Sequence, residues 1–120
     1  MHELSIASNL LDQVLAVAGQ HGMTRVTEIE VRCGVARLVV PDALQAAFAA
    51  LAAETPASDA TLRLVEEPLR IRCRACQLES PATVEDCRCP KCSQANVVMV
   101  AGHEIILQSV VGDQPEDTAT

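Results

Sequence analysis

Aromatic side chains are almost absent from this sequence of 120 residues, which has one phenylalanine and neither tryptophan nor tyrosine. Proteins that bind single-stranded nucleic acid usually stack the bases on exposed aromatic rings, and this chain lacks a set of such rings. Its core must therefore be aliphatic. Hydrophobic residues make up 49% and charged residues 21% of the chain, a composition that is typical of a folded domain and excludes a mostly disordered one.

Long apolar runs and an excess of positive charge are also missing. No run of apolar residues is long enough to predict a membrane-spanning helix. Sixteen acidic and nine basic residues give a net charge of −7, which repels the phosphates of nucleic acids and anionic membranes. The first residues lack the basic and apolar regions of a signal peptide. We therefore expect a cytoplasmic protein that binds neither nucleic acid nor membranes.

Hydrophobic periodicity predicts a mixture of helices and strands. The two predicted helices cover residues 3–21 and the segment from Pro41 to about Leu51. The predicted strands cover residues 27–33, residues 61–67 and a segment that follows Gly102. A three-stranded sheet covered by two helices is large enough to be stable, whereas a two-stranded ribbon is marginal. The predicted fold class is therefore α+β.

A cysteine-rich segment interrupts this pattern and predicts an inserted domain. We expect one α/β domain from residues 1–68 and 100–112, in which the last strand returns to the first sheet. The inserted domain is predicted at residues 69–99, where helical and strand periodicity is weak. Residues 113–120 are polar and acidic, and we expect them to form a disordered tail.

Four of the six cysteines have the spacing of a metal site. They form two CxxC pairs separated by twelve residues: Cys73, Cys76, Cys89 and Cys92. Two facing pairs supply the four thiolates that structural Zn²⁺ binds as a tetrahedron. Because such a site leaves no position for water, zinc would support folding rather than catalysis. Iron accepts the same ligands, and redox-active thiols are the other interpretation.

The remaining cysteines and the nearby basic residues have simpler interpretations. Cys87 competes as a ligand or is a free thiol, and we favour the free thiol because a CxC pair lacks the CxxC turn. Cys33 is expected to be a small buried residue of a strand. The cysteine-rich segment also holds a group of basic residues, Arg70, Arg72, Arg74, Arg88 and Lys91. We expect their charge to balance the thiolates and the neighbouring carboxylates.

The N-terminus offers a second set of metal ligands. The Met1 amine, the His2 amide and the His2 imidazole can close fused chelate rings in one plane, which suits Ni²⁺ or Cu²⁺. Glu3 can add a carboxylate oxygen as a ligand, or it can interact with the ligands without binding the metal itself. A histidine at this position is otherwise an ordinary solvated side chain. His103 is likewise either an exposed residue at a strand end or a further imidazole for this site.

These residues together resemble the HypA/HybF family of hydrogenase and urease nickel-incorporation proteins. The resemblance rests on Met1-His2-Glu3-Leu4-Ser5, on the two CxxC pairs and on Gly102-x-Glu104-Ile105, and it extends from Met1 to about Val111. It implies a nickel-binding α/β domain and a zinc-ribbon domain, which correspond to the two domains predicted above. It also implies nickel ligands at Met1, His2 and Glu3, and structural zinc on the two CxxC pairs.

The resemblance further implies a metallochaperone, which is not an enzyme. Family members help to insert nickel into nickel–iron hydrogenase together with the GTPase HypB and the hydrogenase large subunit. Some members also support urease, which implies urease accessory proteins as partners, and some form homodimers. The residues alone leave two alternatives open. One is a zinc-ribbon module for protein interaction or transcription without a nickel role, and the other is a thiol-redox enzyme.

Overall fold

The computed structural model describes residues 2–114 and confirms a mixed α+β fold. In chain order the elements are α1 (His2–Gln20), β1 (Arg25–Gly34), a short 3-10 helix (Val35–Arg37), α2 (Pro41–Ala52), β2 (Thr61–Glu67), β3 (Arg70–Cys73), β4 (Glu79–Pro81), β5 (Val97–Ala101) and β6 (Ile105–Asp113). The strands form two sheets, ordered β2-β1-β6 and β4-β3-β5. Neither α-helix in this part of the chain has the apolar length that crossing a membrane requires.

The chain divides into two compact units. The first consists of Met1–Val31, Val39–Leu64 and Leu107–Thr120, and the second consists of Arg32–Leu38 and Val65–Ile106. Strand β6 follows the cysteine-rich segment and pairs beside β1 in the first sheet, as the sequence predicts. The domain boundaries at 68/69 and 99/100 stay a prediction, because compactness does not show whether residues 69–99 fold independently.

Helix α1 ends, and helix α2 begins, where the sequence predicts. Helix α1 ends before Gly22, whose φ of +65° is the left-handed conformation that glycine adopts without strain. The Met23 amide then donates to the Ala18 carbonyl at 2.8 Å, which closes the last turn of the helix as a Schellman motif. Helix α2 begins with Pro41, where a missing N–H costs no helical hydrogen bond.

The core of the first unit is aliphatic, apart from the single phenylalanine. Helices α1 and α2 contact each other, and Phe48 of α2 is 3% exposed. Strand β1 buries Ile29 and Val31 completely, whereas Glu30 between them forms an ion pair with Arg63 of β2. One face of β1 therefore packs into the core while the other carries charge, as its alternating sequence predicts.

Strand β6 is longer than predicted and reaches the start of the predicted tail. Asp113 ends the strand, and its carbonyl accepts a hydrogen bond from the Thr24 amide at 2.8 Å. The Gln114 side-chain amide donates to the His21 carbonyl at 3.0 Å. These two residues are ordered, which corrects the predicted start of the tail at 113. Residues 115–120 lie outside the described part of the chain.

The second unit contains the three short strands that the sequence pattern did not predict. Strand β3 is central and pairs antiparallel with β4 and β5, so that Ile71 lies opposite Ser80 and Cys73 lies opposite Val97. Each strand has only three to five residues, which is too short for hydrophobic alternation to be recognised in a sequence. Leu69, Ile71, Cys73 and Cys89 are the buried apolar residues of this small core.

Two glycines allow close backbone contact within the second unit. The Gly34 amide donates to the Glu104 carbonyl at 2.8 Å, and the Ala36 amide donates to the Gly102 carbonyl at 2.9 Å. Gly102 has a φ of +80°, and a Cβ atom there would collide with the Pro68 carbonyl and lie 2.6 Å from the Leu69 Cα. Glycine is thus required at position 102 for both conformation and space.

We expect Gly102→Ala to lower the free energy of unfolding by about 2 kcal/mol or more, since it adds left-handed strain to a backbone collision. Gly19→Ala is the matched control, because no atom lies within 4 Å of its added Cβ. In helix α1 this control should stabilise by about 0.5–1 kcal/mol. Denaturant unfolding of the zinc-supplemented proteins measures both values, and equal stability of the two variants would contradict the prediction.

Candidate metal centres

The two CxxC pairs come together in the second unit. The sulfur atoms of Cys73, Cys76, Cys89 and Cys92 all lie within 4.8 Å of one another. The closest pairs join the two turns, with 3.6 Å between Cys73 and Cys92 and 3.5 Å between Cys76 and Cys89. A tetrahedral zinc ion with Zn–S bonds of about 2.3 Å requires sulfur atoms about 3.8 Å apart. The four thiols therefore fit one tetrahedral metal ion.

Each CxxC pair lies on a turn with the same hydrogen bonds. The Gln77 amide donates to the Cys73 carbonyl, and the Ser93 amide donates to the Cys89 carbonyl, each at 2.8 Å. Gln77 and Ser93 have φ values of +66° and +61°, so the chain reverses at the same position after each pair. Because both turns repeat one geometry, they present their sulfurs to each other in equivalent ways.

Backbone amides stabilise the thiolate of the first cysteine in each turn. Hydrogen bonds from the Cys76 and Ala75 amides lower the pKa of the Cys73 thiol. The amides of Cys92 and Lys91 lower the pKa of the Cys89 thiol to about 6. Accepting amide hydrogen bonds favours the charged form of a thiol, and it also reduces the electron density on a metal-bound sulfur.

The second cysteine of each turn ionises less readily. The Gln94 amide lowers the pKa of Cys92, but the contacts with the Cys73 and Cys89 sulfurs and desolvation together outweigh it and raise that pKa to about 11. The pKa of Cys76 is likewise raised, because the Leu78 amide, which lowers it, is outweighed by the combined effect of Cys89, desolvation and Cys73. Four thiolates at this spacing repel one another, so the fully ionised cluster needs a bound cation.

The other two cysteines lie outside this cluster. The Cys87 thiol donates to the Thr83 carbonyl at 3.0 Å, and its sulfur is not among the four that lie within 4.8 Å of one another. Cys33 near the end of β1 is half-buried rather than fully buried, and this burial raises the pKa of its thiol. Cys33 therefore lies in a strand, as expected, but it is not fully buried.

His2 and Glu3 lie side by side at the start of helix α1. The His2 imidazole is 52% exposed, and its Nε2 lies 3.6 Å from the Glu3 Oε2. The same Glu3 oxygen accepts a hydrogen bond from the Val40 amide at 3.1 Å. This hydrogen bond lowers the pKa of the Glu3 carboxyl. Met1, whose amine the sequence predicts as a ligand, lies outside the described residues.

The Val40 amide is the one member of this arrangement that sequence reasoning missed. Val40 immediately precedes helix α2, and the first amides of a helix have no partner within the helix. A carboxylate from α1 satisfies this one, so the hydrogen bond ties the start of α1 to the start of α2. The only signal in the sequence was Pro41, which marks a helix start but says nothing about which acid lies nearby.

His103 lies in the second unit, between β5 and β6. Its Nδ1 is buried and has no hydrogen-bond partner among the described residues, whereas a neutral imidazole ordinarily uses one nitrogen as donor and the other as acceptor. His2 and Glu3 belong to the first unit. A shared site for the two histidines therefore stays a prediction.

Comparison with known proteins finds relatives that match nearly the whole chain. A family model described as hydrogenase/urease nickel incorporation, metallochaperone, hypA matches residues 1–112. The chain is 36% identical over 114 residues to the hydrogenase maturation factor HypA of Chlorobium luteolum, which covers 95% of this chain and 97% of the relative. It is 37% identical over 123 residues to that of Roseiflexus sp., and the match covers 100% of both chains.

The fold of this chain is also similar to solved structures. The solution structure of the Ni metallochaperone HypA from Helicobacter pylori superposes with a TM-score of 0.75 at 23% identity, covering 94% of this chain and 98% of the other. A second solution structure of a HypA protein gives a TM-score of 0.72 at 25% identity. The likeness extends over both units. This chain therefore belongs to the HypA family of hydrogenase and urease nickel-incorporation proteins.

Proposed function

We propose that this protein is a cytoplasmic nickel metallochaperone that binds Ni²⁺ at its N-terminus and helps to insert it into nickel–iron hydrogenase. The observation that carries the proposal is the exposed His2 imidazole beside the Glu3 carboxylate, at the very start of a helix. The family of the chain gives this pair its context. The protein acts by holding and releasing a metal ion, and no catalytic residue is assigned.

The nickel ligands that we propose are the Met1 amine, the His2 amide nitrogen and imidazole, and the Glu3 carboxylate. The His2 amide lies in the first turn of α1, where helical amides have no intrahelical acceptor. Binding of its nitrogen to the metal therefore costs no helical hydrogen bond. Nitrogen-rich planar ligand sets favour Ni²⁺ over Mg²⁺ or Ca²⁺. His103 is a further candidate ligand that we propose.

Glu3 has a second task in this proposal, which is to hold the terminal ligands in place. Its carboxylate accepts the Val40 amide hydrogen bond while one oxygen lies near the His2 ring. A ligand that is already positioned loses less conformational entropy when the metal binds. His2 itself remains exposed, so the ion is accessible to an acceptor protein that supplies a better set of ligands.

We propose that the four clustered cysteines hold structural Zn²⁺. The sulfur spacing and the amide hydrogen bonds to Cys73 and Cys89 support this assignment. Zinc would supply a closed tetrahedral site, which stabilises a fold without opening a position for water. The small apolar core of this unit explains why a metal is needed, because a segment such as residues 69–99 buries little apolar surface.

The partners that we propose follow from the family and not from a surface of this chain. They are a HypB-like GTPase and the hydrogenase large subunit, with urease accessory proteins as further candidates and a homodimer as a further form. We propose neither nucleic acid nor a membrane as a partner, because the net charge of −7 opposes both.

Nickel binding should depend on the unmodified first amine. Adding Gly-Ser before Met1 moves the amine away from His2, and His2→Ala removes the imidazole. Either change should weaken Ni²⁺ binding by about a hundredfold or more, since even outer-shell changes cost about 10–100-fold. Isothermal titration of zinc-loaded protein with Ni²⁺ near neutral pH measures the effect. His21→Ala is the matched control, because His21 lies at the other end of α1, and it should bind as the wild type does.

Unchanged nickel affinity in both variants would reject the terminal site and favour a zinc-ribbon interaction module without a nickel role. If the wild type takes up no Ni²⁺ at all, the metallochaperone assignment itself is wrong. Loss of binding in the extended protein but not in His2→Ala would contradict the proposed role of the imidazole.

Zinc content should separate the clustered cysteines from Cys87. Cys89→Ser removes one of the four sulfurs, and we expect this variant to lose zinc and the order of the second unit, because zinc binding supplies on the order of 10 kcal/mol in such modules. Cys87→Ser is the matched control, since its thiol bonds to the Thr83 carbonyl instead. Elemental analysis and amide hydrogen exchange measure both effects. Zinc loss in Cys87→Ser with retention in Cys89→Ser would overturn the ligand assignment.

A further inference from the structure

Each half-buried cysteine of the cluster contacts a buried cysteine of the other turn. Cys73 and Cys89 are 1% and 2% exposed, whereas Cys76 and Cys92 are only half-buried. The Cys92 sulfur lies 3.6 Å from that of Cys73, and the Cys76 sulfur lies 3.5 Å from that of Cys89. A small reagent in the solvent therefore reaches one cysteine of each pair first, and the second cysteine lies directly beside it.

A disulfide between the turns has a different effect on the fold from one within a turn. A bond from Cys76 to Cys89, or from Cys73 to Cys92, joins the two turns and encloses the whole segment between them. A bond within one CxxC pair closes a much shorter loop and leaves the two turns unconnected. Because the stabilisation by a disulfide grows with the length of the loop that it closes, only bonds between the turns can take over the constraint that a metal ion supplies.

We propose that the cysteine cluster is a redox switch, in which a peroxide exchanges the bound zinc for two disulfides between the turns, Cys76–Cys89 and Cys73–Cys92. The inference rests on the structural zinc site proposed above and adds the condition under which the metal leaves. Because the disulfides join the same two turns as the metal does, the second unit stays folded after the exchange. Cys87 takes no part, since its thiol donates to the Thr83 carbonyl outside the cluster.

The oxidation consumes one peroxide for each disulfide. The Cys76 thiolate attacks one oxygen of hydrogen peroxide, the O–O bond breaks, and hydroxide leaves, which gives a sulfenic acid on Cys76. The Cys89 thiolate then attacks the Cys76 sulfur, the S–O bond breaks, and a second hydroxide leaves. Two thiolates have lost two electrons, and the peroxide has accepted them. Cys92 and Cys73 react in the same way, and the metal is released because thiolates, and not disulfides, are its ligands.

The test maps the disulfides in the full-length, zinc-loaded protein. Trypsin cleaves after basic residues and so places the four cluster cysteines on separate peptides, because it cuts after Arg72, Arg74, Arg88 and Lys91. Cys87 would share a peptide with Cys76, so the mapping uses the Cys87→Ser variant, and the wild type should release as much zinc as this variant does. About two molecules of hydrogen peroxide are added per zinc. We expect a chromophoric indicator to report zinc release, and mass spectrometry to find Cys76 linked to Cys89 and Cys73 linked to Cys92.

Amide hydrogen exchange distinguishes the switch from unfolding of the second unit. The matched control is the same variant from which a chelator removes zinc in the presence of a reductant, so that it has neither the metal nor disulfides. The amides of β3 should exchange at least about tenfold more slowly in the oxidised protein than in this control. Reduction followed by addition of zinc should restore the zinc content of the untreated protein.

Four results would overturn the proposal: disulfides within the CxxC pairs, zinc release without disulfides, full retention of zinc, or equally fast exchange of β3 in the oxidised protein and the control. Failure of the zinc assignment itself gives a different result. Purified protein that binds no zinc rejects that assignment before any peroxide is added, whereas wrong disulfides in zinc-loaded protein reject the switch alone.

Discussion

Four sulfur atoms within 4.8 Å of one another set the main physical constraint on the second unit. Its apolar core is small, so packing alone contributes little to holding the short strands β3, β4 and β5 together. The two CxxC turns supply identical backbone hydrogen bonds, and these aim amides at the sulfurs of Cys73 and Cys89. Mutual repulsion opposes ionisation of all four thiols, so a divalent cation is the natural complement of this arrangement.

The proposed N-terminal nickel site differs from the cysteine cluster in its surroundings. His2 is exposed and lies at the start of a helix, where backbone amides are free of intrahelical partners. A closed site such as the cysteine cluster suits a metal that stays, whereas an open one suits a metal that is passed on. The hydrogen bond between Glu3 and the Val40 amide gives the open site some order without enclosing it.

Charge is distributed unevenly along the chain. The net charge of −7 would suggest a uniformly acidic surface. Ion pairs instead involve the arginines of β1 and β2, namely Arg25, Arg32 and Arg63, and strand pairing places Glu79 opposite Arg72 of β3. The fold thus decides which basic residues lie beside carboxylates, which composition alone does not reveal.

Local signals in the sequence were enough to predict several of the elements. Periodicity placed α1 and β2, Pro41 placed the start of α2, and Gly22 placed the end of α1, because these depend on interactions between residues close in the chain. The spacing of the cysteines likewise identified the cluster that the fold assembles. The three short strands around it were missed, because strands of three to five residues owe their pairing to distant partners.

Contacts between side chains that are far apart in the sequence became known only from the packed fold. It paired Glu3 with the Val40 amide, separated Cys87 from the cluster and placed Arg70 and Arg72 on the face of β3 away from Cys73. It also ordered Asp113, which composition had assigned to a tail. Each of these outcomes depends on how strands and helices pack, and local sequence carries no information about contacts between residues that only packing brings together.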